Sequence, residues 1–289
     1  MGSYYILWDY SPIFRWLDYK MVNKFNKVTE ELCNLLMKKF QKHYIDFKPT
    51  IERDFCDTMI SAKLWAKQQN SIKYEHMTDQ NLAMTVYNLS YDGADAFYNS
   101  FQWLLLFVAY YPSIQTKLRQ EISKEIGDQL PGFDDRHRCH YVMAFITESL
   151  RFRNPNPFGA IHETMANCNI GNYNIPSGTR VSVALGLISC DPIHWSDSGH
   201  DFCPQRFLDA DGHYVTTVSS ATFIPFGFGR RKCVAISLSL NVLFILLVRL
   251  LQSTKNFDIV LNTNTDLSPD PSITFTLSPK EFKISLIPK

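Results

Sequence analysis

The chain has 289 residues, of which 45% are hydrophobic and 20% charged, and its formal net charge at pH 7 is +1. This balance is typical of a globular enzyme domain with a large core, and it gives no electrostatic basis for nucleic-acid binding. Seven cysteines without a Cys-x-x-Cys pair argue against a disulfide framework or a zinc site, so a reducing, cytosol-facing compartment is expected.

Helices dominate the predicted secondary structure of the first half of the chain. Thr78 is a suitable N-cap for a long helical run that Pro112 ends. From Asn167 the sequence changes to short strands and turns, and the tail from Phe257 has the same character. The predicted helices cover residues 20–44, 52–67, 79–111, 113–126, 140–152 and 234–252.

The last of these helices is apolar enough to suggest a membrane span. Ser237, Asn241 and Arg249 interrupt its apolar run, and it directly follows a Gly-rich loop. We therefore predict a core helix at this position.

A Glu–Arg pair lies in the predicted helix 140–152. Glu148 and Arg151 are three residues apart, so they share one helix face within a mostly apolar sequence. A buried ion pair is costly unless every donor is used, so a further partner is expected. Arg206, in Phe202-Cys-Pro-Gln-Arg-Phe, is the candidate because the fork geometry of arginine suits such a network.

Cys233 lies at the end of a glycine-containing loop, directly before an apolar helical run. The segment around it reads Phe226-Gly-Phe-Gly-Arg-Arg-Lys-Cys-Val-Ala235. A thiolate in a dry site needs positive charge and backbone N–H donors nearby, which Arg231 and the following helix N-terminus can offer. The simpler alternative is a buried structural cysteine in a Gly-rich turn. A cysteine nucleophile of a hydrolase is a further reading, but no His or Asn constellation accompanies the thiol.

These motifs, in this order, resemble those of the cytochrome P450 family. Phe226, Gly229, Arg231 and Cys233 fall where the haem-binding signature has them, and Ala235 stands where the family usually has Gly. The Glu-x-x-Arg pair and the Phe-x-Pro-x-Arg-Phe segment are also similar to the family's motifs. The resemblance implies a mainly α fold with small β-sheets, the C-terminal portion of the cytochrome P450 fold, in one partial domain over residues 1–289.

The resemblance also implies a cofactor and its contacts. Cys233 would be the axial thiolate ligand of the iron of haem b, carried by the loop 223–235. His162 and Arg231 would contact the haem propionates, and Glu148, Arg151 and Arg206 would form a structural network. The other residues implied to contact the cofactor are Phe226, Gly229 and Ala235.

The long helix 79–111 departs from the family pattern at its middle. Gly93 and Asp95 match the small and acidic positions of a pattern that bends the helix and delivers protons, but Ala96 replaces the hydroxyl residue. Gly93 predicts a weakened helix at this point. The loss of the hydroxyl puts proton delivery in question.

The resemblance implies a monooxygenase of the microsomal group, which includes steroid 17α-hydroxylase and drug-metabolising hydroxylases. It would insert one oxygen atom of O2 into a small, apolar substrate, with electrons from an NADPH-dependent flavoprotein reductase. It would lie on the cytosolic face of the endoplasmic reticulum membrane. For this family the chain is short, so we expect an N-terminal truncation that removes the membrane anchor. The alternative is an inactive haem-binding or interaction remnant.

Overall fold

Helices form most of the computed structural model. It describes residues 13, 16, 19–195, 199–215, 222–262, 266–271 and 276–289, and for Asp92 the backbone only. Eight α-helices have bounds within these residues: α1 (Tyr19–Ile45), α2 (Phe55–Gln68), α3 (Asp79–Tyr110), α4 (Pro112–Glu125), α5 (His140–Phe152), α6 (Leu185–Ile188), α7 (Pro192–Trp195) and α8 (Ile236–Ser253). The predicted fold class, mainly α with small β-sheets, is confirmed.

Local chemistry explains where several helices begin and end. The extended backbone of Asp54 makes it the N-cap of α2, and its carboxylate accepts a hydrogen bond from the N–H of Cys56. The predicted start at residue 52 was therefore three residues early. Pro112 is the first residue of α4, and the residue before a proline avoids helical geometry. Tyr111 consequently lies outside α3, which ends at Tyr110.

Within the part of the chain that the structure describes, six short strands form three separate antiparallel pairs. β1 pairs with β4, β2 with β3, and β5 with β6. Single turns of 3-10 helix connect other elements, including one at Gly229–Arg231. The strands are β1 (His162–Glu163), β2 (Cys168–Ile170), β3 (Tyr173–Ile175), β4 (Arg180–Val181), β5 (Phe257–Leu261) and β6 (Ile284–Pro288).

The chain divides into two compact units, and the division falls between Ala94 and Asp95. The first unit has its own small core, in which Phe40 of α1 and Ile60 of α2 are fully buried with Ala83 of α3. A larger core fills the second unit. Its fully buried side chains include Trp103, Phe107, Phe145, Phe244 and Leu247. The single-domain prediction stays a prediction.

The apolar helix α8 is the one described helix that is long and apolar enough to cross a membrane. Five of its side chains nevertheless lie in the core of the second unit: Leu243, Phe244, Leu247, Val248 and Leu251. The buried stripe lies in its second half, whereas Leu238 near its start is exposed. This partial burial supports a core helix and shows that its first turns present apolar surface.

Candidate functional site

The loop that carries Cys233 is shaped by two glycines. Gly227 and Gly229 have φ values of +72° and +65°, in the left-handed region that disfavours residues with a Cβ. A Cβ added to either glycine would meet no atom within 4 Å beyond the adjacent residues of the chain. Backbone conformation, rather than lack of space within the chain, is therefore what requires glycine here. The Cys233 N–H closes the loop by donating to the carbonyl of Phe226 over 2.9 Å.

Basic residues and the start of a helix flank Cys233 in the sequence. Cys233 is exposed at the loop surface, and so are Arg230, Arg231 and Lys232 before it. Helix α8 begins three residues later, at Ile236, and no side chain caps its N-terminus. Basic side chains and helix N-termini are the kind of surroundings in which metal-binding cysteines occur.

The donor set at Cys233 fits a cofactor that brings its own metal. Among the described residues, one group of three potential metal ligands is found, namely Asp209, Asp211 and His213, and Cys233 is not part of it. Structural zinc sites need about four protein ligands, whereas haem needs as few as one axial thiolate. A single exposed thiol in a basic loop therefore fits haem and does not fit zinc.

Glu148 and Arg151 form a fully buried ion pair inside α5. Arg151 Nε donates to Glu148 Oε2 over 2.6 Å, and a second guanidinium nitrogen donates to Oε1 over 2.8 Å. Arg206 joins the pair, with its Nε 3.5 Å from Glu148 Oε1. The structure thus brings together three side chains that are separated by up to 58 residues in the sequence.

The remaining donors of Arg151 all find acceptors. Its guanidinium donates to the carbonyls of Ser189, Gly199 and Asp201 over 2.6, 2.8 and 3.0 Å. Burial raises the pKa of Glu148 against the opposing effect of Arg151. Burial would lower the pKa of Arg151, but the contacts with Glu148 raise it overall. The network therefore ties α5 to the loops around residues 189 and 199–203.

An aromatic contact continues from this network to the cysteine loop. Phe207 follows Arg206 in the 3-10 turn Pro204–Phe207 and is fully buried. Its ring centroid lies 5.2 Å from that of Phe223, the first residue of the loop 223–235. Phe226, further along the loop, packs on the core of the second unit. The loop is thus anchored at two points before Cys233.

The candidate residues of α3 lie on a continuous helix. α3 runs without interruption from Asp79 to Tyr110, so the weakening predicted at Gly93 does not break it. Gly93 and Asp95 are exposed, whereas Ala96 is half-buried. The Ala96 carbonyl accepts a hydrogen bond from the Ser100 hydroxyl over 2.7 Å.

His162 lies on a different element, the two-residue strand β1. It is exposed and stands opposite Val181 of β4 in the antiparallel pair. An exposed imidazole at a strand end can donate to an anionic group of a ligand. The proposed contact with a propionate stays a prediction.

Sequence reasoning missed a polar cluster that holds the C-terminal segment. Asn99 of α3 is almost fully buried and bonds to the hydroxyls of Thr276 and Ser278. Trp103, one turn further, donates its indole N–H to the carbonyl of Leu277 over 2.8 Å. An asparagine within the aromatic-rich stretch Phe97–Val108 was the available signal, because buried amides need partners.

Comparison with known proteins places these features in one family. A sequence model described as "Cytochrome P450" matches residues 2–286. The chain is 31% identical to the steroid 17-alpha-hydroxylase/17,20 lyase of Squalus acanthias over 245 residues, which cover 83% of this chain and 48% of that protein. It is 32% identical to the enzyme of the same name from Ictalurus punctatus over 248 residues, covering 83% and 47%.

A relative with another name covers more of the chain. The human protein named cytochrome P450 1B1 is 29% identical over 283 residues, which cover 95% of this chain and 51% of that protein. The chain therefore spans about half the length of the curated relatives it matches.

Proposed function

This chain belongs to the cytochrome P450 family, and on that premise we propose that the protein is a haem-thiolate monooxygenase. It inserts one oxygen atom of O2 into a small, apolar organic substrate. The family uses haem with an axial cysteine thiolate. The observation that carries the proposal for this chain is the cysteine loop, because its glycines, basic residues and single thiol fit haem and no other metal site considered above.

The loop residues have distinct proposed roles. Cys233 binds the iron of haem b, and Arg231 and His162 pair with its propionates. Phe226, Gly229 and Ala235 would contact the cofactor beside Cys233. When bound, haem would supply the activation of O2, and a thiolate ligand favours cleavage of the O–O bond.

The residues of α3 are proposed to take part in proton delivery. Asp95 is exposed on this helix and is the acidic residue of the proposed pathway. Ala96 has no hydroxyl to pass them on, so delivery depends on water or on a polar group of the substrate. Glu148, Arg151 and Arg206 have a structural role, because they anchor the segment that leads to the cysteine loop.

The substrate is proposed to be steroid-like. Two of the relatives described above carry the name steroid 17-alpha-hydroxylase/17,20 lyase, at 31% and 32% identity. Electrons are proposed to come from an NADPH-dependent flavoprotein reductase, with Arg230 and Lys232 contributing to docking beside Cys233. The protein is proposed to act at the cytosolic face of the endoplasmic reticulum membrane.

The difference spectrum of the reduced, carbon-monoxide-treated protein tests the proposal. The 289-residue chain is expressed with added haem, as wild type and as Cys233→Ser, with Cys168→Ser as a control at another exposed cysteine. A strongly red-shifted Soret band that is lost only in Cys233→Ser supports thiolate ligation. An unshifted band, or no haem uptake, supports the alternative that this chain is an inactive remnant.

A further inference from the structure

A tight turn between Leu208 and Tyr214 places three potential metal ligands at one point of the surface. Leu208 and Tyr214 form an antiparallel bridge, and the N–H of Asp209 donates to the carbonyl of His213 over 2.9 Å. Within this turn, one ligand atom from each of Asp209, Asp211 and His213 lies within 4.8 Å of the other two. The backbone of the turn thus sets the spacing of three side chains that can bind a metal.

The two carboxylate oxygens of Asp209 have different surroundings. Its Oδ1 accepts from the N–H groups of Asp211 and His213 over 3.0 and 2.8 Å, whereas its Oδ2 lies 3.8 Å from Nδ1 of His213. Two ligand atoms on one tetrahedral Zn²⁺ lie about 3.4 Å apart, because each bond is about 2.1 Å long. Rotation of an exposed side chain is sufficient to close the difference.

A fourth potential ligand comes from the first residue of α5. The ring centroids of His140 and His213 lie 5.0 Å apart, and the ring planes are at 79°. Two imidazoles on one tetrahedral metal have centroids about 5 Å apart, because each ring centre is about 3.2 Å from the metal. His140 belongs to another element, so its place beside His213 does not follow from the turn itself.

Other contacts hold the turn against α5. Tyr214 Oη lies 2.7 Å from Oγ1 of Thr147, which is two helical turns after His140 on the same helix. The N–H of Val215 donates to the carbonyl of Phe207 over 3.0 Å. The proximity of His140 to the turn is therefore supported by contacts in which none of the four potential ligands takes part.

The charges of the cluster favour a cation. Among the described residues, neither Asp209 nor Asp211 forms an ion pair with a lysine or arginine. Two carboxylates and two neutral imidazoles offer two oxygen and two nitrogen donors. Such a set suits Zn²⁺ and related transition metals, whereas Ca²⁺ and Mg²⁺ prefer oxygen ligands alone.

We propose that the two histidines and two aspartates bind Zn²⁺ or a similar divalent transition-metal ion, which ties the turn to the start of α5. The ligands are His140, Asp209, Asp211 and His213. The role of the ion is structural, because four protein ligands leave no open position for a substrate. No cysteine takes part, and cysteines were the basis for expecting no zinc site. The site shares no residue with the proposed haem site, so either proposal can fail while the other holds.

Equilibrium dialysis against Co²⁺, with bound cobalt measured by mass spectrometry, tests the site. Co²⁺ accepts the same ligands as Zn²⁺ and serves as the probe. The complete 289-residue chain is used without an affinity tag, with and without added haem. His140→Gln and His213→Gln are each expected to weaken Co²⁺ binding by at least about tenfold, since even groups that only orient metal ligands contribute about 10-fold to 100-fold.

Two control variants show whether other ligands are responsible. His76→Gln removes an exposed histidine in the first unit, and Cys233→Ser removes the exposed thiol of the proposed haem site. Both are expected to leave the affinity for Co²⁺ unchanged.

Thermal unfolding separates loss of the metal site from loss of the fold. Asp211 is exposed, and the turn uses its N–H rather than its carboxylate. Asp211→Asn is therefore expected to keep the unfolding temperature of the metal-free chain. Zn²⁺ is expected to raise the unfolding temperature of the wild type but not that of Asp211→Asn or His213→Gln, since a ligand stabilises only the state that binds it.

Three results would each overturn the inference. The first is the absence of Co²⁺ binding by the wild type. The second is an affinity in either histidine variant equal to that of the wild type. The third is binding that is lost in Cys233→Ser, which would place the metal at the thiol.

Discussion

The carboxylate of Glu121 in α4 caps the N-terminus of α5 through the backbone of Tyr141. Its Oε1 accepts from the N–H of Tyr141 and its Oε2 from the N–H of Val142, both over 2.8 Å. Cys139, which immediately precedes the first residue of α5, makes no capping hydrogen bond with its own side chain. A residue from another helix therefore satisfies two amides at the start of the helix that carries Glu148 and Arg151.

This cap makes stability depend on pH. Burial raises the pKa of Glu121 above its ordinary value of 4.5, despite the two amide donors. A carboxyl with a raised pKa contributes stability that is fully present below its unfolded value and is lost as the pH rises through the folded value. We therefore expect Glu121→Gln to gain stability relative to wild type as the pH is raised from about 4 to about 7.

Urea unfolding followed by circular dichroism at several pH values measures this difference. Glu30→Gln, at an exposed position on α1, is the control and is expected to show little change with pH relative to wild type. A difference between wild type and Glu121→Gln that stays constant or grows in favour of wild type would show that the ionised carboxylate is not penalised in the folded state.

The Glu148 network predicts unequal effects for its two arginines. Arg151 makes five hydrogen bonds with Glu148 and three carbonyls, and lysine cannot reproduce this geometry. Arg151→Lys is expected to lower the free energy of unfolding by about 3 kcal/mol, in the range found when a buried ion pair is disrupted. Arg206→Lys is expected to lower the free energy of unfolding by less. The Arg206 side chain is partly exposed, and its Nε lies 3.5 Å from Glu148 Oε1.

Denaturant unfolding of both variants, beside Arg249→Lys at an exposed position of α8, provides the measurement. Equal losses in the free energy of unfolding for Arg151→Lys and Arg206→Lys would contradict the prediction that Arg151 contributes more than Arg206. If Arg151→Lys lowers the free energy of unfolding as little as Arg249→Lys does, the pair Glu148–Arg151 contributes little to stability.

Local sequence patterns were sufficient to predict the elements and contacts that depend on neighbouring residues. The predicted bounds of 140–152 coincide with those of α5, because its apolar periodicity is uninterrupted. The pair Glu148–Arg151 was predictable from its spacing of three residues. The placement of Arg206 beside Glu148 came from the resemblance to a family motif, since no local rule joins these positions.

Contacts between distant polar groups could not be read from the sequence. Gln115 donates to the carbonyls of Val108 and Ile259, and Arg153 donates to the carbonyl of Leu267. The choice of carbonyl depends on how the elements pack, and hydrophobic periodicity carries no information about it. The same limit explains why the cluster of Asn99, Thr276 and Ser278 was missed.

Two glycines are expected to respond in opposite ways to alanine. Gly229→Ala places a Cβ on a residue with φ of +65° and is expected to destabilise the loop by about 1 kcal/mol. Gly93→Ala lies inside α3, where an added Cβ meets no atom of the chain within 4 Å, and is expected to stabilise the helix by up to about 1 kcal/mol. Thermal and urea unfolding of both variants measure these effects. Destabilisation by Gly93→Ala would show that a neighbour constrains this part of α3.

Replacing Ala96 by threonine tests the missing hydroxyl. The Ser100 hydroxyl already donates to the Ala96 carbonyl, so it is engaged and cannot also donate its hydrogen elsewhere. If the proposed monooxygenase function holds, a hydroxyl at position 96 supplies a further group for proton delivery near Asp95. Ala96→Thr is then expected to raise the amount of product formed per NADPH consumed. Ala94→Thr, at an exposed position two residues earlier, is the control. An unchanged ratio in Ala96→Thr would mean that protons reach the reaction by a route that does not involve this face of α3.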